Sequence, residues 1–429
     1  MPNLGRAAER VTLYARRQHE YGARGVQQVL KQTERALNAS VRKLQRLPID
    51  QAMARREPND LKSIRALRPH GPRRMWQQLD AAAYKDRLAG AFLGCIAGCT
   101  QGTPVEGSPI KRMEALAAEN GDSLPLRDYW SYVPEPKALR YQNAPREAFT
   151  RDKMRGVPVD DDTVYTLLGL LIAEDHGLDF STADVGKAWL KYLPFACTAE
   201  EVALRNLKKG IPASRAGAID NPFTEWIGAD IRSDPRGYLA PGWPERAATM
   251  AYRDAYLSHR RQGIYGEMYF SAVIAAAFAV KDPVQALRIG LSEIPKECAL
   301  AEAIRWALRL APRIKDYRQA RAAVDKKFPG MHTIHTINNA CLTVFGVTIG
   351  GTDFARVIGE TVAMGLDNDC TAATAGSIVG AVIGKSGLPK HWYRPFGDTV
   401  HAYIIDQPRF SIKDLERRFA KLATAAHQG

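Results

Sequence analysis

Helix-periodic apolar runs dominate this chain and leave few folds open to it. Beyond residue 80 they recur as Leu79 to Ala97, Thr163 to His176, Ala183 to Tyr192, Ala247 to His259, Tyr265 to Val280, Val284 to Ser292, Glu297 to Leu310, Tyr317 to Lys327, Ile334 to Phe345, Asp353 to Ala363 and Thr371 to Lys385. Segments with strict two-residue alternation are scarce. The pattern predicts an all-α domain rather than a βαβ array. The many Ala, Gly and Ser residues on these runs imply helices packed close together. No run reaches the 18 to 20 apolar residues of a membrane span, the longest candidate being Met268 to Val280, so a protein that does not enter the membrane is expected.

The first 80 residues differ in character. They carry 17 Lys and Arg against 7 Asp and Glu, a net +10 of the chain's +14. Val26, Leu30, Leu37, Val41 and Leu44 mark an amphipathic helix ending near Leu47, and Pro48, Pro58, Pro69 and Pro72 punctuate a looser stretch beyond it. A boundary near residue 80 is expected, with a basic, mainly helical extension over 1–80 and a catalytic domain over 81–429. A solvated helical face is the simplest reading of the extension; an acidic partner or nucleic acid is the functional one. The first thirty residues contain no apolar core of the kind a secretory signal needs, so no secretory signal is expected. The six cysteines form neither a disulfide framework nor a CxxC zinc pattern, and a cytoplasmic location is expected.

Three motifs carry chemistry. Asp160, Asp161 and Asp162 stand directly before the run Val164 to Ile172. One Asp suffices to cap a helix, and three adjacent carboxylates repel unless a cation neutralises them. In the second motif, Gly365 to Gly384, Asp367 and Asp369 are two residues apart before another small-residue helix, so both point to one side of a turn while Asn368 faces away. Two such clusters, each opening a helix, look like halves of one oxygen-only site for a hard cation such as Mg²⁺ or Mn²⁺; zinc prefers His or Cys. The third motif is the Gly102 to Gly107 loop, where Pro104 and flanking glycines hold Glu106 at a helix end; the plainer reading is an exposed turn glutamate.

In this order and spacing GAFLGCIAGCTQGTPVEG, VDDDT and GLDNDCTAATAGSIVGA resemble the ADP-ribosylglycohydrolase family, from about Arg87 to the last quarter of the chain. The resemblance implies an all-α fold with two Mg²⁺ ions, replaceable by Mn²⁺, in a cleft where the bond between ADP-ribose and its acceptor is hydrolysed. It also implies Asp160, Asp161, Asp162, Asp367, Asp369 and Thr371 as metal ligands, and Glu106 and Asp161 as catalytic groups. Gly102 is implied as a substrate contact, and Tyr265, Gly266 and Glu267 stand in the region where relatives contact the ligand, with a packing role as the alternative for Tyr265 and Glu267. The implied partner is an ADP-ribosylated acceptor or related nucleotide glycoside.

The chain departs from the family pattern at three points. Asp160 stands where a Thr is usual, Cys99 where many members have Asp, and Cys370 where a Thr often follows the last aspartate. Two other readings accompany the leading one: an N-glycoside hydrolase acting on a nucleoside or nucleotide-like small molecule, and a catalytically weak ADP-ribose-binding protein.

Overall fold

The computed structural model describes residues 3–133 and 146–428, which form two compact units, 1–55 and 56–429. In the first, α1 (Leu4–Glu20) and α2 (Val26–Gln45) form a helical hairpin that turns through Gly22 and Gly25, both at positive φ. Val26 and Leu30 are half-buried beside a hollow of about 450 Å³ lined also by Val11 and Tyr14. Leu37, Val41 and Leu44 of the same stripe stay exposed, and neither helix buries a residue fully.

The boundary falls at Arg55/Arg56, earlier than the position near residue 80 expected from the prolines. The short helix α3 (Gln51–Arg56) crosses it, and α4 (Leu61–Leu67) buries Ile64 in the second unit. Arg68 and Arg73 both pair with the buried carboxylate of Glu293 at 2.7 Å, and Glu57 pairs with Arg261. These charges need each other because a carboxylate buried without a partner is costly.

The second unit is a layered helical body. Its chain runs through α5 (Ala81–Gly102), α6 (Ile110–Asn120), α7 (Asp161–His176), α8 (Thr182–Tyr192), α9 (Thr198–Lys208), α10 (Ala213–Ala216), α11 (Ser233–Leu239) and α12 (Pro244–Ala255). It continues through α13 (Gln262–Ala277), α14 (Pro283–Gly290), α15 (Ala299–Leu310), α16 (Tyr317–Lys327), α17 (Thr336–Gly350), α18 (Phe354–Ala363) and α19 (Asn368–Ile383). A hairpin of β1 (Val400–Ile404) and β2 (Gln407–Phe410) precedes α20 (Ile412–Gln428). This hairpin is the one two-stranded element among the described residues of an otherwise helical fold.

Burial separates inner helices from outer ones. Every residue of α13 is buried, and α5, α7, α17 and α19 are nearly so, as expected of helices apolar all round. Outer helices such as α12 and α15 bury one stripe each.

At the centre α5 and α19 cross antiparallel at a distance only glycine permits. Gly90, Gly94, Gly98 and Gly102, one turn apart on α5, face Gly380, Gly376, Ala372 and Asp369 of α19. A Cβ added at Gly94 or Gly98 would lie 2.2 or 2.1 Å from a backbone oxygen of the other helix. The ladder of small residues thus sets where the C-terminal end of α5 meets the N-terminal end of α19.

Candidate metal centre and active site

The chain leaves α5 through a single turn of 3₁₀ helix, Thr103–Val105, and Glu106 comes next as its C-cap. Two contacts stitch this loop to both aspartate turns. The Thr103 hydroxyl donates to Asp160 Oδ2 at 2.9 Å, and the Gly107 amide donates to the Leu366 carbonyl at 2.9 Å. Glu106 is therefore held between two segments about 200 residues apart in sequence.

Asp160 is the N-cap of α7, its Oδ1 accepting the Asp162 amide at 3.0 Å. Capping, the plainer reading of the motif, accounts for this one aspartate. Asp162 is 2% exposed; its Oδ2 accepts from the Cys370 thiol at 3.4 Å and its Oδ1 has no partner. The other turn enters α19 through Gly365 and Leu366, both in the left-handed region, and Asp367 caps that helix without a side-chain hydrogen bond. Asn339 Oδ1 accepts the Asp367 amide at 3.2 Å, while Asp367 Oδ1 and the Thr371 hydroxyl are buried without partners. Asn368 faces away as expected, its side-chain amide donating to the Val362 carbonyl at 2.9 Å.

Three sets of ligand atoms lie mutually within 4.8 Å: Cys99, Asp160 and Asp162; Asp162, Asp369 and Cys370; and Glu106, Asp367 and Asp369. Sharing of Asp162 and Asp369 joins them into one continuous centre. None of its carboxylates pairs with a Lys, Arg or His among the described residues, and the groups pressing on them are chiefly one another. Burial, with Asp160 next and then Glu106 and Glu200, pushes Asp161 up to about 8. Burial of the cleft-facing carboxyl, then Asp367 and Asp160, raises Glu106 to about 7 even though the residue as a whole is exposed. Asp162 and Asp369 are driven well above the carboxylate range by burial and by their acidic neighbours. Unpartnered oxygens and mutual repulsion together make this a set that suits a metal ion.

The thiols are a different matter. Cys99 and Cys370 are held protonated by burial and by surrounding carboxylates, so they act as weak donors and fillers rather than thiolates. Cys99 faces the Asp160 side of the centre, 3.9 Å from the Thr103 hydroxyl.

The substrate contacts expected from the resemblance are distributed unevenly. Gly102 lies in the site, its missing Cβ making room 2.4 Å from the Asp369 Cα. Asp161 is in none of the three ligand sets and stands among Asp160, Glu106 and Glu200. Tyr265 is wholly buried, its hydroxyl donating to the Pro58 carbonyl at 2.5 Å. Glu267, also wholly buried, sits in a network with Arg232 at 3.5 Å and Arg236 at 4.0 Å, and both arginines also pair with Asp254. In this structure neither is at a surface a ligand reaches. Gly266 lies behind the site, where an added Cβ would fall 1.9 Å from Asp230 Oδ1.

Asp230 and Glu200 belong to none of the three sequence motifs. Asp230 is 1% exposed, has both oxygens unpartnered and feels the charge of Asp367; Glu200 backs Asp161 beside Arg232. A lone carboxylate between Ala229 and Ile231 was the available signal for Asp230.

An all-helical body with a buried, cation-poor carboxylate centre at the joint of two helix starts and a glutamate loop defines the class. The sequence model of the ADP-ribosylglycohydrolase family matches residues 80–427, and the chain belongs to that family, a family of glycosidase-type hydrolases. A solved structure described as an ADP-ribosylglycohydrolase-related protein complex shares the fold, with a TM-score of 0.52 and 20% identity over 81% of this chain and 99% of that one. No curated protein matches.

Proposed function

We propose that this chain hydrolyses the glycosidic bond between ADP-ribose and an acceptor and depends on two Mg²⁺ ions, for which Mn²⁺ can substitute. The observation carrying the reading is the meeting of Asp160, Asp162, Asp367 and Asp369, with buried oxygens left unpartnered, beneath Glu106. Asp160, Asp161, Asp162, Asp367, Asp369 and Thr371 are the proposed ligands. When bound there, the ions supply Lewis acidity toward ribose hydroxyls and the attacking water.

The chain's own groups handle the protons. Hydrolysis adds water to the anomeric carbon as the acceptor departs with a proton, so one group must take a proton and one must give it. Glu106, held on the loop between the two aspartate turns and outside the proposed ligands, is the group placed for both tasks. Asp161, pressed by Glu106 and Asp160, is the second candidate for moving a proton.

The test is release of ADP-ribose from a panel of ADP-ribosylated acceptors, with Mg²⁺ and with EDTA. Release that requires the cation supports the proposal. A metal-loaded protein that frees no ADP-ribose from any member of the panel sinks it.

A further inference from the structure

Five large hydrophobic residues of the second unit are exposed among those described, and three of them, Val159, Phe195 and Ile405, belong to segments tied together beside the carboxylate centre. Val157 bridges Val400 in parallel, with the Val157 amide donating to the Thr399 carbonyl at 2.9 Å and the His401 amide to the Val157 carbonyl at 3.1 Å. Three residues on along each of the two segments stand Asp160 and Tyr403. The Ile405 amide donates to the Tyr192 carbonyl at 3.0 Å, joining the hairpin to the segment that leads to Phe195 and Cys197.

Across this joint the rings of Phe195 and Tyr403 lie against each other, with centroids 4.4 Å apart and planes tilted by 33°. Phe195 keeps 53% of its surface exposed, so part of the pair remains open. The rim is close to the chemistry. Burial first, then Asp161, Asp160 and Asp162 among its neighbours, raise the Tyr403 hydroxyl, and burial followed by Asp161, Glu200, Glu106 and Asp160 raises Cys197.

From this arrangement we infer that the Phe195–Tyr403 pair is a subsite for the leaving group of the substrate, and that it selects a planar, electron-poor ring of the nucleobase or nitroaryl type. The inference rests on the glycosidase reading proposed above and specifies the acceptor class. A ring buttressed by a second, tilted ring is a rigid wall; an aliphatic acceptor chain gains little from it, whereas another ring can lie in offset contact with the open face of Phe195. Ring faces are electron-rich, which favours an electron-poor partner.

The experiment compares wild type, Phe195→Ala, Tyr403→Ala and Tyr403→Phe on two glycosides: ADP-ribosyl 4-nitrophenol and an ADP-ribosylated serine peptide. Free ADP-ribose serves as a competitive inhibitor. Phe195→Ala and Tyr403→Ala are expected to raise KM for the nitrophenyl substrate about three- to tenfold, the range of aromatic pair effects. They should leave the peptide KM and inhibition by ADP-ribose within about twofold. Tyr403→Phe, which keeps the ring, should behave as wild type. Equal losses on both substrates, weakened ADP-ribose inhibition, or no change on the nitrophenyl substrate would overturn the assignment. A wild type inactive on both glycosides would instead remove the glycosidase reading, and the subsite with it.

Discussion

Replacing Gly98 by Ala tests whether the helix crossing builds the centre. The new Cβ would lie 2.1 Å from the Ala372 carbonyl oxygen, 2.4 Å from its carbon and 2.8 Å from the Ala373 nitrogen. All three are backbone atoms, so no side chain can rotate away. Relief to an ordinary contact requires α5 and α19 to part by about 1 Å in a close-packed interior, at an overpacking cost of about 1–3 kcal/mol. In a unit of roughly 370 residues the unfolding entropy is about 0.8 kcal/mol per degree, so Tm should fall by about 1–4 °C. The functional effect should be larger. Parting the helices moves Asp367 and Asp369 against Asp160, Asp162 and Glu106, and a displacement of about 1 Å at reacting groups can cost about 10²-fold in turnover. Melting curves, Mg²⁺ titration and ADP-ribose release measure the three effects. Gly186→Ala is the control: it too is a helical glycine, but its new Cβ would meet only side chains, 3.2 Å from Ala213 and 3.3 Å from Leu207, so its Tm and turnover should hold. A Gly98→Ala protein with unchanged Tm and metal affinity would refute the claim that the glycine ladder sets the site.

The same geometry bears on other perturbations. Glu106→Gln should keep metal affinity while cutting turnover roughly 10²-fold, the scale of lost acid–base assistance, as read by parallel metal titration and kinetics. Mg²⁺ at 100 times its Kd should stabilise the protein by about 2.7 kcal/mol, or about 3 °C, and Asp162→Ala or Asp369→Ala should abolish that rise in a thermal melt. Without metal, stability should decline between about pH 4 and pH 8: Asp161 rises from 3.8 to about 8 and Glu106 from 4.5 to about 7 on folding, so the native state holds the extra protons and loses that advantage as they leave. Melts in EDTA across that range check the slope, which should flatten in Mg²⁺. Deleting residues 1–55 removes none of the ion pairs of Glu57, Arg68 or Arg73, whereas deleting 1–80 leaves Glu293 buried without them and should cost about 3–5 kcal/mol, measurable by urea denaturation of the two truncations.

The chemistry of the centre was legible because it is written locally. Asp160 to Asp162 and Asp367 to Asp369 each sit at a helix start, where capping and periodicity operate over three or four residues, and the Gly102 to Gly107 loop announces itself by its Pro and Gly. The expected helix over Thr163 to His176 is α7 with its two leading aspartates added, and that over Thr371 to Lys385 is α19 begun three residues earlier.

The hidden features depend on which helix lies against which. Glu267 and Tyr265 stand in a promising motif, yet α13 is apolar all round, so it lies inside and Glu267 finds Arg232 and Arg236 there. Asp230 reaches the neighbourhood of Asp367 across 137 positions, and Phe195 meets Tyr403 across 208, pairings for which no local periodicity carries a signal. The prolines suggested a boundary near residue 80, where the family match also begins, whereas the compact units divide at Arg55, because Arg68 and Arg73 pair with the buried carboxylate of Glu293 in the second unit. Local sequence specifies helices and their caps through contacts a turn apart; the joining of two half-sites needs the close crossing of α5 and α19, a property of two surfaces that neither segment expresses alone.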